Sequence, residues 1–267
     1  MMGTQKQVKE KIKENMKDVG YAIAVLSGKG GVGKSTVAVN LAAALSEKHS
    51  VGLLDCDITG PNIPLMLGIQ DERLKSRGEG IKPVDAYGLK VVSTAFLLEN
   101  RDTPVIWRGP MKGNVIGQFL AEVEWGKLDY LIIDLPPGTG DEALTTVQLL
   151  EELDGVVVVT TPQDVSLLDS KKAVNFARQL ETPVLGVIEN MSGLKCPHCA
   201  REINLFKQGG GEKASIELKI PFLGGIPLEP GIVISCDEGK PFIKDAGNSS
   251  HKSFREVVEN IQSSLNK

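Results

Sequence analysis

The chain has 267 residues, of which 41% are hydrophobic and 24% are charged, the balance of an ordinary globular protein. Its 30 basic and 34 acidic residues give a net charge of −4, which excludes a strongly basic surface for nucleic acid or anionic lipid. No apolar run approaches the roughly 18 residues that a membrane-spanning helix needs. The composition therefore predicts a protein that binds neither nucleic acid nor a membrane.

The first nineteen residues are rich in lysine but also contain acidic residues, and they lack the apolar core of a secretory signal. We therefore expect a cytoplasmic protein. Apolar residues recur there at spacings of four, four and three, at Val8, Ile12, Met16 and Val19. This period predicts an amphipathic helix, so we expect residues 1–19 to form a helical extension and residues 20–267 to form a single domain.

Apolar, β-branched segments alternate with segments of helical period along the rest of the chain. Strands are predicted at residues 21–27, 51–55, 89–93, 130–134, 155–161, 184–189 and 221–226. Helices are predicted at residues 33–48, 111–124, 141–153, 165–180 and 250–265. The alternation predicts an α/β fold, a doubly wound and mostly parallel sheet with helices on both faces. A polar loop at residues 70–87 and an irregular segment at residues 191–211 interrupt the pattern.

A glycine-rich loop follows the first predicted strand and precedes a helix. It consists of Gly28, Lys29, Gly30, Gly31, Val32, Gly33, Lys34, Ser35 and Thr36. This order satisfies the phosphate-binding pattern G-x-x-x-x-G-K-[ST] in its strand–loop–helix context. Glycines let backbone N–H groups surround phosphate oxygens, and the helix N-terminus favours negative charge. We expect Lys34 to reach the β- and γ-phosphates, Ser35 to bind Mg²⁺ and Thr36 to support the α-phosphate.

The same glycines also satisfy G-x-G-x-x-G, the pattern of a dinucleotide-binding fold. Asp55 follows Gly33 by 22 residues, near the position of the acid that binds ribose in such folds. A dinucleotide site has no use for consecutive Lys34, Ser35 and Thr36, however, and it does not predict a second acidic strand. The loop therefore favours a P-loop ATPase over a dinucleotide site or a purely structural turn.

The predicted strand at residues 130–134 ends in the carboxylate of Asp134. P-loop enzymes hold Mg²⁺ through water with a carboxylate in this position. Gly138, in the loop that follows, is placed for its N–H to contact a γ-phosphate, which would make the loop a nucleotide sensor. The structural alternative for Asp134 is a helix cap or a solvated strand end.

Asp55 ends the predicted strand at residues 51–55, and Asp57 follows two residues later. Carboxylates two residues apart in an extended chain point to the same side. One of them can contact metal-bound water while the other orients the attacking water. The structural alternative is that both acids only cap the turn at residues 61–67.

The chain contains four cysteines, Cys56, Cys196, Cys199 and Cys236. Four cysteines do not make a disulfide scaffold in a chain this long. The sulfurs of Cys196 and Cys199 are spaced so that both can face one metal centre. The same spacing also fits a dithiol redox motif or half of a zinc site, and it can be incidental. A tetrathiolate site needs four sulfurs, which a two-fold axis between two chains supplies. We expect His198, between the two cysteines, to lie at the surface or to support the ligands.

Taken together, these motifs resemble a known family. With its additional Lys29, the loop is similar to the deviant P-loop of the class that contains the nitrogenase iron protein and the partition ATPases. Within that class, the chain resembles the Mrp/ApbC family of iron–sulfur cluster carriers. The resemblance rests on residues 57–62, 107–111, 134–141, 189–191, 196–199, 206–211 and 225–229. The match runs in order from about residue 21 to residue 242.

For the nucleotide site, the resemblance implies an ATP-hydrolysing homodimer in which Lys29 reaches the phosphates of the partner chain. It implies that Asp57 activates water and that Asp134 supports Mg²⁺. It also implies that Asn190 and the segment around Pro227 lie beside the adenine.

For the cysteines, the resemblance implies that a [4Fe-4S] cluster bridges two chains at Cys196 and Cys199 and is transferred to apo iron–sulfur proteins. Cys236 departs from the family pattern, and its sequence position, in a loop unrelated to the other cysteines, suggests no role.

Two other functions remain open at this stage. One is a positioning or partition ATPase that binds a membrane or DNA in its ATP state, and the other is a regulatory ATPase dimer stabilised by zinc. A membrane-targeting helix would be basic on its polar face, whereas residues 251–267 mix acidic and basic residues around one apolar stripe. That pattern predicts a terminal helix that packs on the core, and binding to a membrane or to DNA does not explain the cysteine pair. The zinc-stabilised dimer is distinguished from a cluster carrier by metal analysis.

Overall fold

The computed structural model describes residues 2–77, 80–98, 109–150, 153–196, 198–199, 201–203, 205–245, 247 and 250–266. Residues 107–108 and Pro197, which belong to the motifs above, lie outside these ranges. The helices in the described part of the chain are α1 (Met2–Met16), α2 (Lys34–Leu45), α3 (Ile63–Met66), α4 (Gly109–Glu122), α5 (Asp141–Leu149), α6 (Asp164–Gln179), α7 (Gly210–Leu218), α8 (Pro230–Asp237) and α9 (Ser250–Leu265).

The strands in the same ranges are β1 (Val19–Ser27), β2 (Val51–Asp55), β3 (Lys75–Arg77), β4 (Gly80–Lys82), β5 (Val84–Ala86), β6 (Leu89–Ser93), β7 (Leu128–Asp134), β8 (Gly155–Thr160), β9 (Val184–Lys195), β10 (Glu202–Ile203) and β11 (Phe222–Leu228). The main sheet has the order β10-β9-β8-β1-β7-β2-β6-β5, and β11 pairs with β9. All pairs between the long strands are parallel, whereas β5 and β10 run antiparallel to their neighbours. The predicted mostly parallel α/β sheet is confirmed.

Helices cover both faces of the sheet because β1 and its neighbours are apolar on both sides. Ile23 and Val25 face a core that contains the apolar residues of α2 and α9. Ala24 and Leu26, which alternate with them, face a second core formed with α4 and α6. Strands buried on both faces read as continuous apolar runs, which is the pattern that the sequence shows for β1, β2, β7 and β8.

The N-terminal helix packs against α4. Ile12 is buried in the second core, and the Asn15 amide donates hydrogen bonds of 2.8 and 2.9 Å to the carbonyls of Leu120 and Val123. Helix α1 ends at Met16, and Val19 begins β1. The expectation that Val19 continues the helical stripe was wrong, because that residue pairs with β7 of the sheet instead.

The last helix buries the stripe that its sequence predicts. Phe254, Val257, Val258 and Ile261 of α9 are buried against the first core, as expected of a helix that packs on the domain. Among the described residues, no helix combines the length and the apolar character that crossing a bilayer requires.

The two interrupted stretches contain more regular structure than the sequence predicts. The polar segment at residues 70–87 holds the three short strands β3, β4 and β5. Strand β9 continues to Lys195 and turns back into β10, so the expectation of an irregular segment from residue 191 was wrong for its first part. The short strands β4, β5 and β10 are at most partly buried and contain polar residues, so they lack the apolar runs that reveal strands buried on both faces.

Candidate functional site

The phosphate loop lies at the carboxyl edge of the sheet, where β1 ends at Ser27 and α2 begins at Lys34. Ligands of open α/β sheets bind at this edge. Gly33 has a φ angle of 84°, in the left-handed region that glycine adopts without strain. A Cβ atom at Gly33 would also lie 2.1 Å from Nδ2 of Asn190. Both the turn and the approach of Asn190 therefore require glycine at this position.

Lys34 and Ser35 both bond to Asp134. The Lys34 ammonium lies 2.6 Å from Oδ1 of Asp134, and the Ser35 hydroxyl donates to Oδ2 at 2.6 Å. The Lys34 and Asp134 side chains are 6% and 0% exposed. Burial raises the pKa of Asp134, and the Lys34 ammonium opposes this rise. The groups predicted to bind phosphate and Mg²⁺ thus neutralise each other here.

Asp55 is buried next to this pair, in register with Asp134 on the neighbouring strand. Its carboxyl group accepts hydrogen bonds from the Ser93 hydroxyl at 2.9 Å and from the Asp57 backbone N–H at 3.1 Å. Burial, and then repulsion from Asp134, raises the pKa of Asp55 to about 8. The folded chain therefore favours the protonated form of Asp55.

Asp57 has different surroundings from Asp55, because it lines an open cleft of about 220 Å³ beside the phosphate loop. Lys29 and Met66 line the same cleft. The Asp57 carboxylate accepts a hydrogen bond from the Gly60 N–H at 3.1 Å, so it also caps the turn that follows β2. Asp57 can therefore cap this turn and still contact a ligand in the cleft, whereas the Asp55 side chain is buried.

Gly138 and Asn190 hydrogen-bond to the chain at the two ends of the phosphate-loop turn, at Ser27 and Val32. The Gly138 N–H donates to the Ser27 carbonyl at 2.9 Å, so contact with a γ-phosphate would replace this hydrogen bond. The Asn190 amide donates to the Val32 carbonyl at 2.8 Å. Pro227 lies on β11, the strand that pairs with β9 at Asn190.

Cys236 also belongs to this region, and the expectation that it lies in an unrelated loop was wrong. It lies on α8, and its half-buried thiol bonds to the side chain of Thr36 in the phosphate loop. Burial raises the pKa of the Cys236 thiol. Because Thr36 and Cys236 are far apart in the sequence, no local pattern indicates this contact. Cys56 is buried, and burial raises its pKa well above the usual value, so its thiol is unreactive.

Cys196 and Cys199 lie at the tip of the hairpin formed by β9 and β10. Lys195 pairs with Glu202 in the antiparallel ladder, and the Cys196 N–H donates to the Arg201 carbonyl at 2.9 Å, which closes the turn. Cys199 is exposed, and Cys196 is half-buried. Among the described residues, no three His, Cys, Asp or Glu side chains form a group that could hold a metal ion.

The hairpin turn also favours the thiolate form of Cys196. The backbone N–H groups of Cys199 and His198, together with the Cys199 thiol, hydrogen-bond to the Cys196 sulfur and lower its pKa. The thiolate is the form that binds metals. One chain therefore presents two neighbouring thiols at this turn, and the pKa of one of them is lowered.

Comparison with known proteins identifies the family to which this chain belongs. The sequence matches the ParA family model described as NUBPL iron-transfer P-loop NTPase over residues 18–262. The iron–sulfur cluster carrier protein of Methanococcus maripaludis is 47% identical over 98% of this chain and 91% of its own length. The carrier protein of the same name from Methanocaldococcus jannaschii is 50% identical over 94% of this chain and 87% of its own length.

Solved structures show the same fold. A nucleotide-binding protein from Archaeoglobus fulgidus in complex with ADP has a TM-score of 0.80 and 38% identity, covering 92% of this chain and 96% of its own. The septum site-determining protein MinD from Pyrococcus horikoshii, in complex with Mg-ADP, has a TM-score of 0.66 and 25% identity, covering 90% and 95%.

Proposed function

The chain belongs to the family of NUBPL iron-transfer P-loop NTPases, and we propose that it hydrolyses ATP slowly and carries an iron–sulfur cluster to apo-proteins. The observation that supports this most directly is that one strand, β9, links a complete phosphate loop to a hairpin with two accessible thiols. One strand thus connects the proposed nucleotide site to the proposed cluster ligands.

ATP and Mg²⁺ would replace the bond between Lys34 and Asp134 with new ionic contacts for each side chain. Lys34 and Asp134 are buried and neutralise each other in this structure. A phosphate offers Lys34 a new anion, and Mg²⁺ offers Asp134 a new cation, so neither charge is left buried without a partner. Ser35 and Asp134 supply the oxygen ligands that Mg²⁺ prefers, and their oxygens already lie 2.6 Å apart. Bound Mg²⁺ would neutralise charge that develops on the phosphates.

In the proposed hydrolysis step, Asp57 orients the attacking water, since it lines the cleft while Asp55 is buried. We assign to Lys29, which lines the same cleft, the role of reaching a phosphate bound to the partner chain. ATP would then stabilise the homodimer, because each site would use a lysine from both chains.

The cluster, as the cargo, would bind where two hairpins meet. Cys56 is buried, and Cys236 lies on α8 beside Thr36, so one chain brings only Cys196 and Cys199 together as candidate ligands. A tetrathiolate ligand set then requires the same pair from a second chain, and a two-fold axis supplies it. We propose one [4Fe-4S] cluster per dimer, with apo iron–sulfur proteins as recipients.

Reconstitution without oxygen tests this function. The protein is loaded with iron and sulfide, and its visible absorption, iron, sulfide and zinc contents and subunit stoichiometry are measured. We expect the absorption of a [4Fe-4S] cluster and one cluster per dimer. One full cluster per monomer would contradict the bridging geometry. Stable zinc with no uptake of iron would favour the zinc-stabilised regulatory dimer over the carrier.

A further inference from the structure

Strand β9 contacts both proposed sites. Its Asn190 side chain donates to the Val32 carbonyl of the phosphate loop, and its last residue, Lys195, precedes Cys196. An extended strand rises about 3.3 Å per residue, so Cys196 lies no more than about 20 Å along the chain from Asn190. Strand β9 is therefore a short and direct connection between the phosphate loop and the hairpin.

Strand β9 is irregular at residues 191–193, between the phosphate-loop contact and the hairpin. The partners of Asn190 and Leu194 on β11 are Ile226 and Leu228, so β9 has two extra residues in this interval. Met191 and Gly193 have φ angles of 56° and 72°, in the left-handed region. This conformation is uncommon for a residue such as methionine and is often found at functional sites. The extra residues form a bulge, which bends a strand and redirects its side chains.

The carboxyl group of Glu189 holds this bulge in place. It is 1% exposed and accepts hydrogen bonds from the Ser192 hydroxyl at 2.5 Å, the Gly209 N–H at 3.0 Å and the Gly211 N–H at 2.5 Å. Gly209 and Gly211 lie where the chain returns from the hairpin and enters α7. The free N–H groups and the dipole at a helix N-terminus favour a carboxylate there. One buried side chain thus ties the bulge to the returning segment.

We propose that Glu189 is a positioning residue that couples nucleotide occupancy to the position of the cysteine hairpin. Nucleotide binding separates Lys34 from Asp134 and reshapes the loop that Asn190 contacts. The bulge transmits this displacement along β9, and Glu189 makes the returning segment move with it. The inference rests on the proposed function, because it assigns to this coupling the control of cluster binding and release.

The reactivity of the hairpin thiols tests the coupling without a cluster. The full chain is treated with a chelator, and alkylation of Cys199 by iodoacetamide is followed by peptide mass spectrometry, with and without a non-hydrolysable ATP analogue and Mg²⁺. We expect the analogue to change the rate of the wild type by about fivefold or more, the lower end of common coupling energies. In Glu189→Gln the ratio of the two rates should approach one, while nucleotide affinity stays unchanged.

The matched control is Glu202→Gln, which removes a carboxylate from the exposed side of the same hairpin and should keep the wild-type ratio. A wild-type ratio of one would overturn the coupling. The same ratio in Glu189→Gln as in the wild type, with equal nucleotide affinity, would overturn the role of Glu189. That second result would indicate that dimer formation alone shields the thiol.

A milder variant keeps the test informative if Glu189→Gln does not fold. Ser192→Ala removes one of the three hydrogen bonds to Glu189 and should reduce the ratio in part, whereas an unchanged ratio would contradict the proposal. Because alkylation needs no cluster, failure of reconstitution would refute the carrier function and leave this ratio unaffected. A normal cluster with an unresponsive hairpin would refute the coupling alone.

Discussion

The nucleotide site and the cysteine hairpin differ in how completely one chain builds them. At the centre of the sheet, Lys34, Asp134 and Asp55 are buried and bonded to protein groups. At the edge, β10 has only two residues and Cys199 is exposed. Buried polar groups must have partners, so the fold sets the geometry of the first site without a ligand. Exposed thiols acquire their geometry when a metal binds them.

This difference predicts opposite consequences for substitutions at the two sites. A change at the nucleotide site alters both ligand binding and stability, because the same groups serve both. A change at the hairpin alters ligand binding alone. The predictions below test this contrast, in order of decreasing effect.

The largest effect is expected at the hairpin. Cys196→Ala and Cys199→Ala should each abolish binding of the proposed bridging cluster, because each variant would remove two of the four proposed ligands from a dimer. Thermal unfolding of the cluster-free protein should change by no more than about 2 °C, since neither thiol belongs to the core. Cys56→Ala and Cys236→Ala serve as controls and should still bind iron. Iron retained by either hairpin variant would contradict this ligand assignment.

The second prediction concerns Lys34. Lys34→Ala should weaken ATP binding by roughly 1,000-fold, because charge-assisted bonds to the phosphates are lost. It should also lower the free energy of unfolding by about 3 kcal/mol, because Asp134 loses its buried counter-ion. Adding Asp134→Asn should recover stability without recovering affinity. Calorimetry and urea unfolding measure the two effects, and an unchanged stability of Lys34→Ala would contradict the structural role of the pair.

The third prediction concerns Lys29, which we propose acts on the partner's nucleotide. Lys29→Ala should lower ATP hydrolysis by roughly 100-fold, the loss typical of one charge-stabilising donor, with a smaller effect on binding. Mixing Lys29→Ala with Lys34→Ala subunits should restore part of the activity, since one composite site then holds both lysines. If confirmed heterodimers hydrolyse no faster than the parent variants, Lys29 acts within its own chain.

The last prediction concerns Asp55, for which the expected effect is on the pH dependence of stability and not on ligand binding. Its pKa is raised to about 8 in the folded chain from an ordinary value of 3.8, so the folded state binds the proton more tightly. The resulting stabilisation is complete below about pH 4 and is lost as the pH rises through about 8. In Asp55→Asn, unfolding free energies measured by urea at several pH values should fall less across this window. An equally steep fall would show that other groups carry the dependence.

Much of the fold was predictable because strands buried on both faces leave continuous apolar runs in the sequence. The bounds of β2 and β6 agree with the sequence prediction, and β1 and β7 differ only at their first residues. The continuation of β9 to Lys195 was not predictable in this way. Its last residues pair with the short strand β10 and follow a bulge, so they show neither an apolar run nor regular alternation.

By itself, the sequence determined the α/β class, the phosphate loop, the acidic end of β7 and the cysteine pair, because each depends on neighbouring residues or on local periodicity. Only the tertiary structure decided that Lys34 pairs with Asp134, that burial beside Asp134 raises the pKa of Asp55 and that Cys236 contacts Thr36. It also decided that Glu189 ties the bulge of β9 to the segment that enters α7. These contacts join residues that are distant in the chain, and they depend on strand order and register, which local patterns do not encode.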